Sequence, residues 1–338
     1  MKVFSLRKGI AIFLIRQEFI AKFFILIIFY FQAPTITRLR FIISKIKCTF
    51  AEQKQTLIKF IITILSGLYV KSINNGQIKS KKKDMKFKIP PITLNLIIIN
   101  VLCWLIQIII PSKFDINITD MFGLHYWISE KFHWYQLITN MFLHDTHGMS
   151  HLFFNMFGLF MFGTAVEEAW GGKKFLFFYL FTGIGASITQ ELSWLIDSHA
   201  LMSAFDTAIA EGNGAALVPF EHMFIGNGSI SYITLSNILE LRSGMLNSML
   251  AIGASGALFG VLLAFAWLFP EAKMGIIFVP IMIPARIFVA IYTVIELVCG
   301  VANFSFDSIA HYAHLGGMLF GLILILIWKK FGNLYSRW

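Results

Sequence analysis

Charge is what this chain has least of. Asp, Glu, Lys and Arg make up 14% of its 338 residues, against about a quarter in a soluble domain. That deficit excludes an ordinary water-soluble globule. Cysteine is also scarce. Cys48, Cys103 and Cys299 are too widely spaced for a disulfide framework or a zinc pattern. Cys103 and Cys299 fall in or at the end of apolar segments, where a thiol packs as a small hydrophobe. No internal repeat is visible, and no small-residue cleavage site marks a signal peptide near the start. Apolar residues are what the chain has in excess, at 57%, with a mean hydropathy of +0.73. A bilayer core of roughly 30 Å takes about 20 such residues per helix. The length therefore accommodates one all-α membrane domain and an appendage.

The net charge of +10 is unevenly distributed. Residues 1–88 carry 18 Lys and Arg against 3 Asp and Glu, whereas residues 89–338 carry 10 against 15. The densest basic run, around Lys81, Lys82 and Lys83, reads as a cytoplasmic flank under the positive-inside rule. No base-stacking or groove-reading element accompanies it, so no nucleic-acid partner is expected. Residues 1–88 form a basic, partly apolar N-terminal extension. It reads as extra anchoring helices, as a weak interfacial segment, or as upstream sequence not normally translated, with Met85 the alternative start.

From Pro90 on, six apolar spans are expected: about 93–110, 151–169, 175–195, 249–268, 274–298 (holding Pro280 and Pro284) and 309–328. A polar, external insertion over 196–246 joins the third to the fourth. Counted this way, Lys79–Lys88, Lys173, Lys174, Lys273, Lys329 and Lys330 all fall on one side. That side is cytoplasmic, and both ends of the 89–338 domain lie there.

Polar residues then converge on one level. Ser255 lies about six residues into the fourth span and His314 about five into the sixth. Both are roughly 8–10 Å below the outer boundary at the helical rise. Asn155, one turn below His151, reaches a similar depth in the second span. Gly256 and Gly260 form one GxxxG, and Gly317 and Gly321 another. Such faces let helix backbones approach closely in lipid, which would bring Ser255 and His314 together. A serine hydroxyl needs a base to become a nucleophile, and imidazole titrates in the right range. No acid lies at this depth on the fourth or sixth span, so a Ser-His dyad is expected, its ring oriented by packing against Phe259. His151, Asn155 and the Ser255 N–H are candidate oxyanion donors, with Gly253 supporting them. His144, His147 and Ser150 would line a wet vestibule. His311, nearer the boundary, reads as structural or exposed. His144 and His147 have no carboxylate or cysteine to complete a metal site, and no metal or cofactor is expected.

Three motifs in this order resemble the rhomboid intramembrane serine proteases: His151 to Asn155 (HLFFN), Gly253 to Gly256 (GASG), and Ala313 to Gly317 (AHLGG) followed by Gly321. Gln136 to Thr139 before Phe142–His144, and Glu168 before Gly172 and Tyr179, are similar to the family's flanking text. The resemblance covers about 90–328; the Trp-Arg pair common in the family's first external loop is absent. It implies a six-transmembrane-helix rhomboid-like bundle that cleaves transmembrane segments of membrane proteins near the outer face. It also implies Ser255 as nucleophile, His314 as base, and His151, Asn155 and the Ser255 amide as the oxyanion site. A mobile fifth span would control entry, loosened by its prolines. The alternative is a non-catalytic rhomboid-like protein that binds or escorts membrane segments. A channel or transporter would need polar residues through the whole depth. The lean to Ile, Lys, Phe and Asn suggests an AT-rich genome and a bacterial inner membrane. Oligomeric state is left open.

Overall fold

The computed structural model describes residues 89–111, 116–224, 230–275, 282–302 and 310–337. The expectations for residues 1–88 lie outside them. Two prolines open the first helix, α1 (Pro91–Ile109), where a fixed φ suits the first turn. A short helix α2 (Ile118–Phe122), a two-residue strand β1 (Leu124–His125) and a short helix α3 (Gln136–Thr139) make up the first connection. The second span is one rod with a π-helical turn at its middle: α4 (Ser150–Gly158), the turn Leu159–Gly163, and α5 (Thr164–Trp170). Gly171, at φ 85°, reverses the chain into α6 (Gly172–Glu211). After two 3-10 segments, Ala215–Met223 and Ile230–Tyr232, come α7 (Leu235–Ser248), β2 (Leu250–Ala251), α8 (Ser255–Leu268), the hairpin of β3 (Lys273–Gly275) and β4 (Met282–Pro284), α9 (Ala285–Ala302) and α10 (His311–Lys330).

Four helices, α1, α6, α9 and α10, are each long and apolar enough to cross a membrane. The shorter apolar α8 and the α4–α5 rod complete the six expected segments. The protein is an all-α membrane bundle. At its centre α10 packs against α6 and α8, and α9 lies at the periphery with most of its surface exposed.

Glycine makes the central contact possible. A Cβ on Gly317 would stand 1.9 Å from the carbonyl oxygen of Gly256, and one on Gly260 would stand 2.9 Å from that of Gly317. The backbones of α8 and α10 therefore touch directly, as small-residue faces permit in lipid. At the opposite end, Glu167 receives the N–H of Ile92 at 3.0 Å, and the N–H and hydroxyl of Thr93 at 2.7 and 2.8 Å. A carboxylate satisfying the unpaired amides of a helix N-terminus is favourable electrostatically as well. It ties the first span to the turn between the second and third.

Three boundaries differ from those expected. The third span runs on to Glu211, and residues 196–246 are mostly helical, with a small core of Leu201, Phe205, Ala208, Leu217, Ile230 and Ile238. The fourth helix starts at Ser255, because Leu250 and Ala251 pair with the first connection as a short strand, Leu124 opposite Ala251 and His125 opposite Leu250, and Ala254 turns the chain into the helix. The fifth helix begins after Pro284, which closes β4, so this proline lies outside the helix it was expected to loosen. Pro280 lies outside the described residues.

Candidate functional site

Helix beginnings build the site. Ser255 is the first residue of α8, His151 the second of α4, and His314 the fourth of α10. The strand Leu250–Ala251 leading up to the helix explains the first placement. β1–β2 pairing and the Gly253 N–H donating to the Asn140 carbonyl at 3.0 Å hold it in place. Gly253 adopts φ 131°, a conformation that side chains resist. A Cβ there would also lie 2.9 Å from His151 Nε2. The chain thus enters the helix at a glycine that the His151 ring closely abuts.

Ser255 Oγ and His314 Nε2 are 2.8 Å apart. The His314 ring lies flat on Phe259, with centroids 4.1 Å apart and planes at 8°. Phe259 is also stacked with Tyr292 of α9, at 5.3 Å and 14°. The other imidazole nitrogen, Nδ1, is 3.0 Å from Glu296 Oε2. Nδ1 of His311 is 2.6 Å from the same oxygen. Glu296, His311 and His314 are all buried.

Glu296 is the residue that the sequence reading missed. Acids were sought on the fourth and sixth spans, but this one comes from the fifth. The signal was present: Glu296 is the only acid in Ala285–Ala302, and an ionisable residue inside an apolar span is a functional hypothesis by default. His311 was expected to be structural or exposed. It is buried one turn above His314, facing the same carboxylate.

His151 is oriented from behind. The Asp145 N–H donates to its Nδ1 at 3.2 Å, so the ring's own proton sits on Nε2, toward Gly253. The loop that carries Asp145 is pinned to α1. Trp104 Nε1 donates to the Asp145 carbonyl at 3.0 Å, and Gln107 pairs with both the N–H and the carbonyl of His144. His144 is fully buried in this loop rather than lining a vestibule, while His147 and Ser150 are exposed. Asn155 is buried and donates one amide hydrogen to the His151 carbonyl at 2.9 Å. As the first residue of its helix, Ser255 has an N–H with no intrahelical acceptor. Beside Ser255 is a cavity of about 30 Å³, walled by small groups such as Ala186, Gly253, Ala257 and Ala313.

The fold is thus a helical membrane bundle that keeps a serine and a histidine in contact at the beginnings of two helices. Residues 131–204 and 217–331 match the family model described as the Rhomboid domain. These segments make up more than half of the chain, which belongs to the rhomboid family. No curated protein matches it.

Proposed function

We propose that this protein is an intramembrane serine endopeptidase that cleaves transmembrane segments of membrane proteins near the outer face of the bilayer. The 2.8 Å contact between Ser255 Oγ and His314 Nε2 carries the reading. With its proton on Nδ1, His314 presents a lone pair to the serine hydroxyl. As Oγ attacks the scissile carbonyl carbon, Nε2 takes the hydroxyl proton and the carbonyl oxygen becomes an oxyanion. The oxyanion is received by the Ser255 N–H, the His151 Nε2–H and the free Asn155 amide hydrogen, at the positive end of α8. Collapse of the intermediate breaks the C–N bond. His314 returns the proton to the leaving amine, and water then resolves the acyl-enzyme by the same route in reverse. Gly253 leaves room for His151 beside Ser255, and the Gly256, Gly260, Gly317 and Gly321 contacts hold α8 and α10 in register. All of these groups are side-chain or backbone atoms, so the reaction as written uses no metal or cofactor. The reading places the termini of the 89–338 domain on the cytoplasmic side, in a bacterial inner membrane.

The test is cleavage of a transmembrane substrate by purified protein in detergent, with fluorophosphonate labelling of Ser255 as an independent readout. Ser255→Ala and His314→Ala should each lose cleavage and labelling while keeping the wild-type circular dichroism. A folded wild type that neither cleaves nor labels would instead support the binding or escort reading.

A further inference from the structure

We propose that Glu296 is a positioning residue for His314, anchored by His311, so that the site works as a Ser-His-Glu relay and not as a dyad. The proposal rests on the protease reading above and adds a role for the fifth span. Three observations carry it. First, both Nδ1 atoms converge on one carboxylate oxygen, at 2.6 and 3.0 Å. A carboxylate only accepts, so both imidazoles carry their proton on Nδ1. This is the tautomer that leaves His314 Nε2 free to accept from Ser255. Second, a carboxylate in a membrane helix is expensive unless partnered. Here the partners are two N–H donors on the adjacent helix, and Glu296 is 4% exposed. Third, α9 turns a narrow face to α10 made of Val289, Thr293, Glu296 and Gly300, while Ile287, Ile291, Ile295 and Val298 face outward. Thr293 donates to Met318 Sδ at 3.2 Å. A Cβ on Gly300 would lie 3.3 Å from His311 Cβ, so glycine lets the helix close against His311.

The consequence is chemical. When His314 takes the serine proton, its positive charge forms 3.0 Å from a buried negative one. Glu296 therefore favours the protonated ring in the transition state, while holding the neutral ring in its accepting tautomer beforehand. His311 fixes the carboxylate rotamer from the other side. Because the acid belongs to α9, the base is correctly set only while α9 is seated on α10.

The same three side chains bring one potential ligand atom each within 4.8 Å of one another. The two nitrogen–oxygen separations are those of hydrogen bonds. They are shorter than the roughly 3.3 Å ligand–ligand edge implied by tetrahedral zinc with bonds near 2.0–2.1 Å. Hydrogen bonding accounts for the geometry better than coordination does.

The test compares wild type with Glu296→Gln, Glu296→Ala, Glu296→Asp and His311→Ala, all as full-length protein. Cleavage kinetics, fluorophosphonate labelling across pH and thermal stability are measured for each. Glu296→Gln should lower kcat by about 10- to 100-fold with KM little changed, in line with loss of an orienting partner. The acid limb of the labelling profile should move to lower pH, since the lost carboxylate no longer stabilises protonated His314. Among the described residues, the titratable groups facing that ring are Glu296 and Tyr292 of α9, His311 of α10 and His151 of α4. Glu296→Asp should recover part of kcat and restore the limb, and His311→Ala should give a smaller fall. Wild-type kcat and an unmoved limb in Glu296→Gln would overturn the proposal. So would losses that follow thermal stability alone, which indicate a structural brace. Activity abolished by EDTA and restored by zinc in wild type, but not in Glu296→Gln, would overturn it in favour of a metal centre. An inert wild type would refute the protease reading instead, which keeps the two failures distinct.

Discussion

Gly317→Ala tests whether the contact between α8 and α10 sets the geometry of the site. The new methyl carbon would stand 1.9 Å from the Gly256 carbonyl oxygen and 2.8 Å from its carbon. Both are backbone atoms, so no rotamer change relieves the clash. Restoring an ordinary carbon–oxygen contact of about 3.2 Å requires the helices to part by about 1.3 Å, a forced overpacking of the kind that costs about 1–3 kcal/mol. Ser255 lies one residue before Gly256, and His314 three before Gly317. Parting the helices along that line would stretch the 2.8 Å Ser255–His314 contact to about 4 Å, beyond hydrogen bonding. Activity should therefore fall by more than the loss of stability explains. The assay is fluorophosphonate labelling per folded molecule, with thermal unfolding in the same detergent. Gly244→Ala is the control: that glycine lies within α7 with nothing within 4 Å of an added Cβ. It should be neutral or stabilising by up to about 1 kcal/mol. A Gly317→Ala protein as stable and as quickly labelled as wild type would refute the reasoning.

Phe259→Ala removes the surface on which the His314 ring lies; kcat should fall about 10-fold or more, and Phe259→Tyr, which keeps the aromatic face, should recover most of it. Glu167→Gln weakens a charge-assisted cap on α1, far from Ser255, so the unfolding midpoint should drop by the equivalent of about 1–2 kcal/mol while labelling per folded molecule stays at the wild-type rate. His144 gives a pH dependence. Burial, helped by the nearby charge of His151, lowers its pKa from 6.5 to about 3. The unfolded chain takes up a proton below about 6.5 that the folded one refuses. Stability from this group is therefore full above that pH and lost as pH falls toward about 3, on the order of 2–3 kcal/mol by pH 4.5. Unfolding midpoints at pH 7 and 4.5 should differ less in a folded His144→Gln variant than in wild type, and equal differences would refute the assignment.

Composition and periodicity carried a good deal of this. An apolar excess with basic residues alternating sides predicts a polytopic helical bundle, because lipid solvates neither charge nor unpaired backbone. The motifs around Ser255, His314 and His151 pointed to the candidate site, since small residues next to reactive ones inside a span have few other uses. Phe259, one turn from Ser255, could be named as the stacking partner because helical spacing alone puts it there. Local sequence was weaker where long-range pairing decides conformation. Leu250 and Ala251 are apolar enough to read as helix, yet β-pairing with Leu124 and His125 makes them a strand, and the helix starts only at Ser255. The polar composition of residues 196–246 reads as a connection, yet six buried apolar side chains give it a core of its own.

By itself, the sequence determined which residue types are available, how many segments suit a membrane, and which serine and histidine could meet. Those are properties of spacing and hydrophobicity within single helices. Tertiary structure decided the rest. Glu296 stands 15 residues before His311 and 18 before His314 on another helix, and no periodicity links them. It joins the site because α9 packs one narrow face against α10, where two imidazole rings partner a carboxylate that lipid would not.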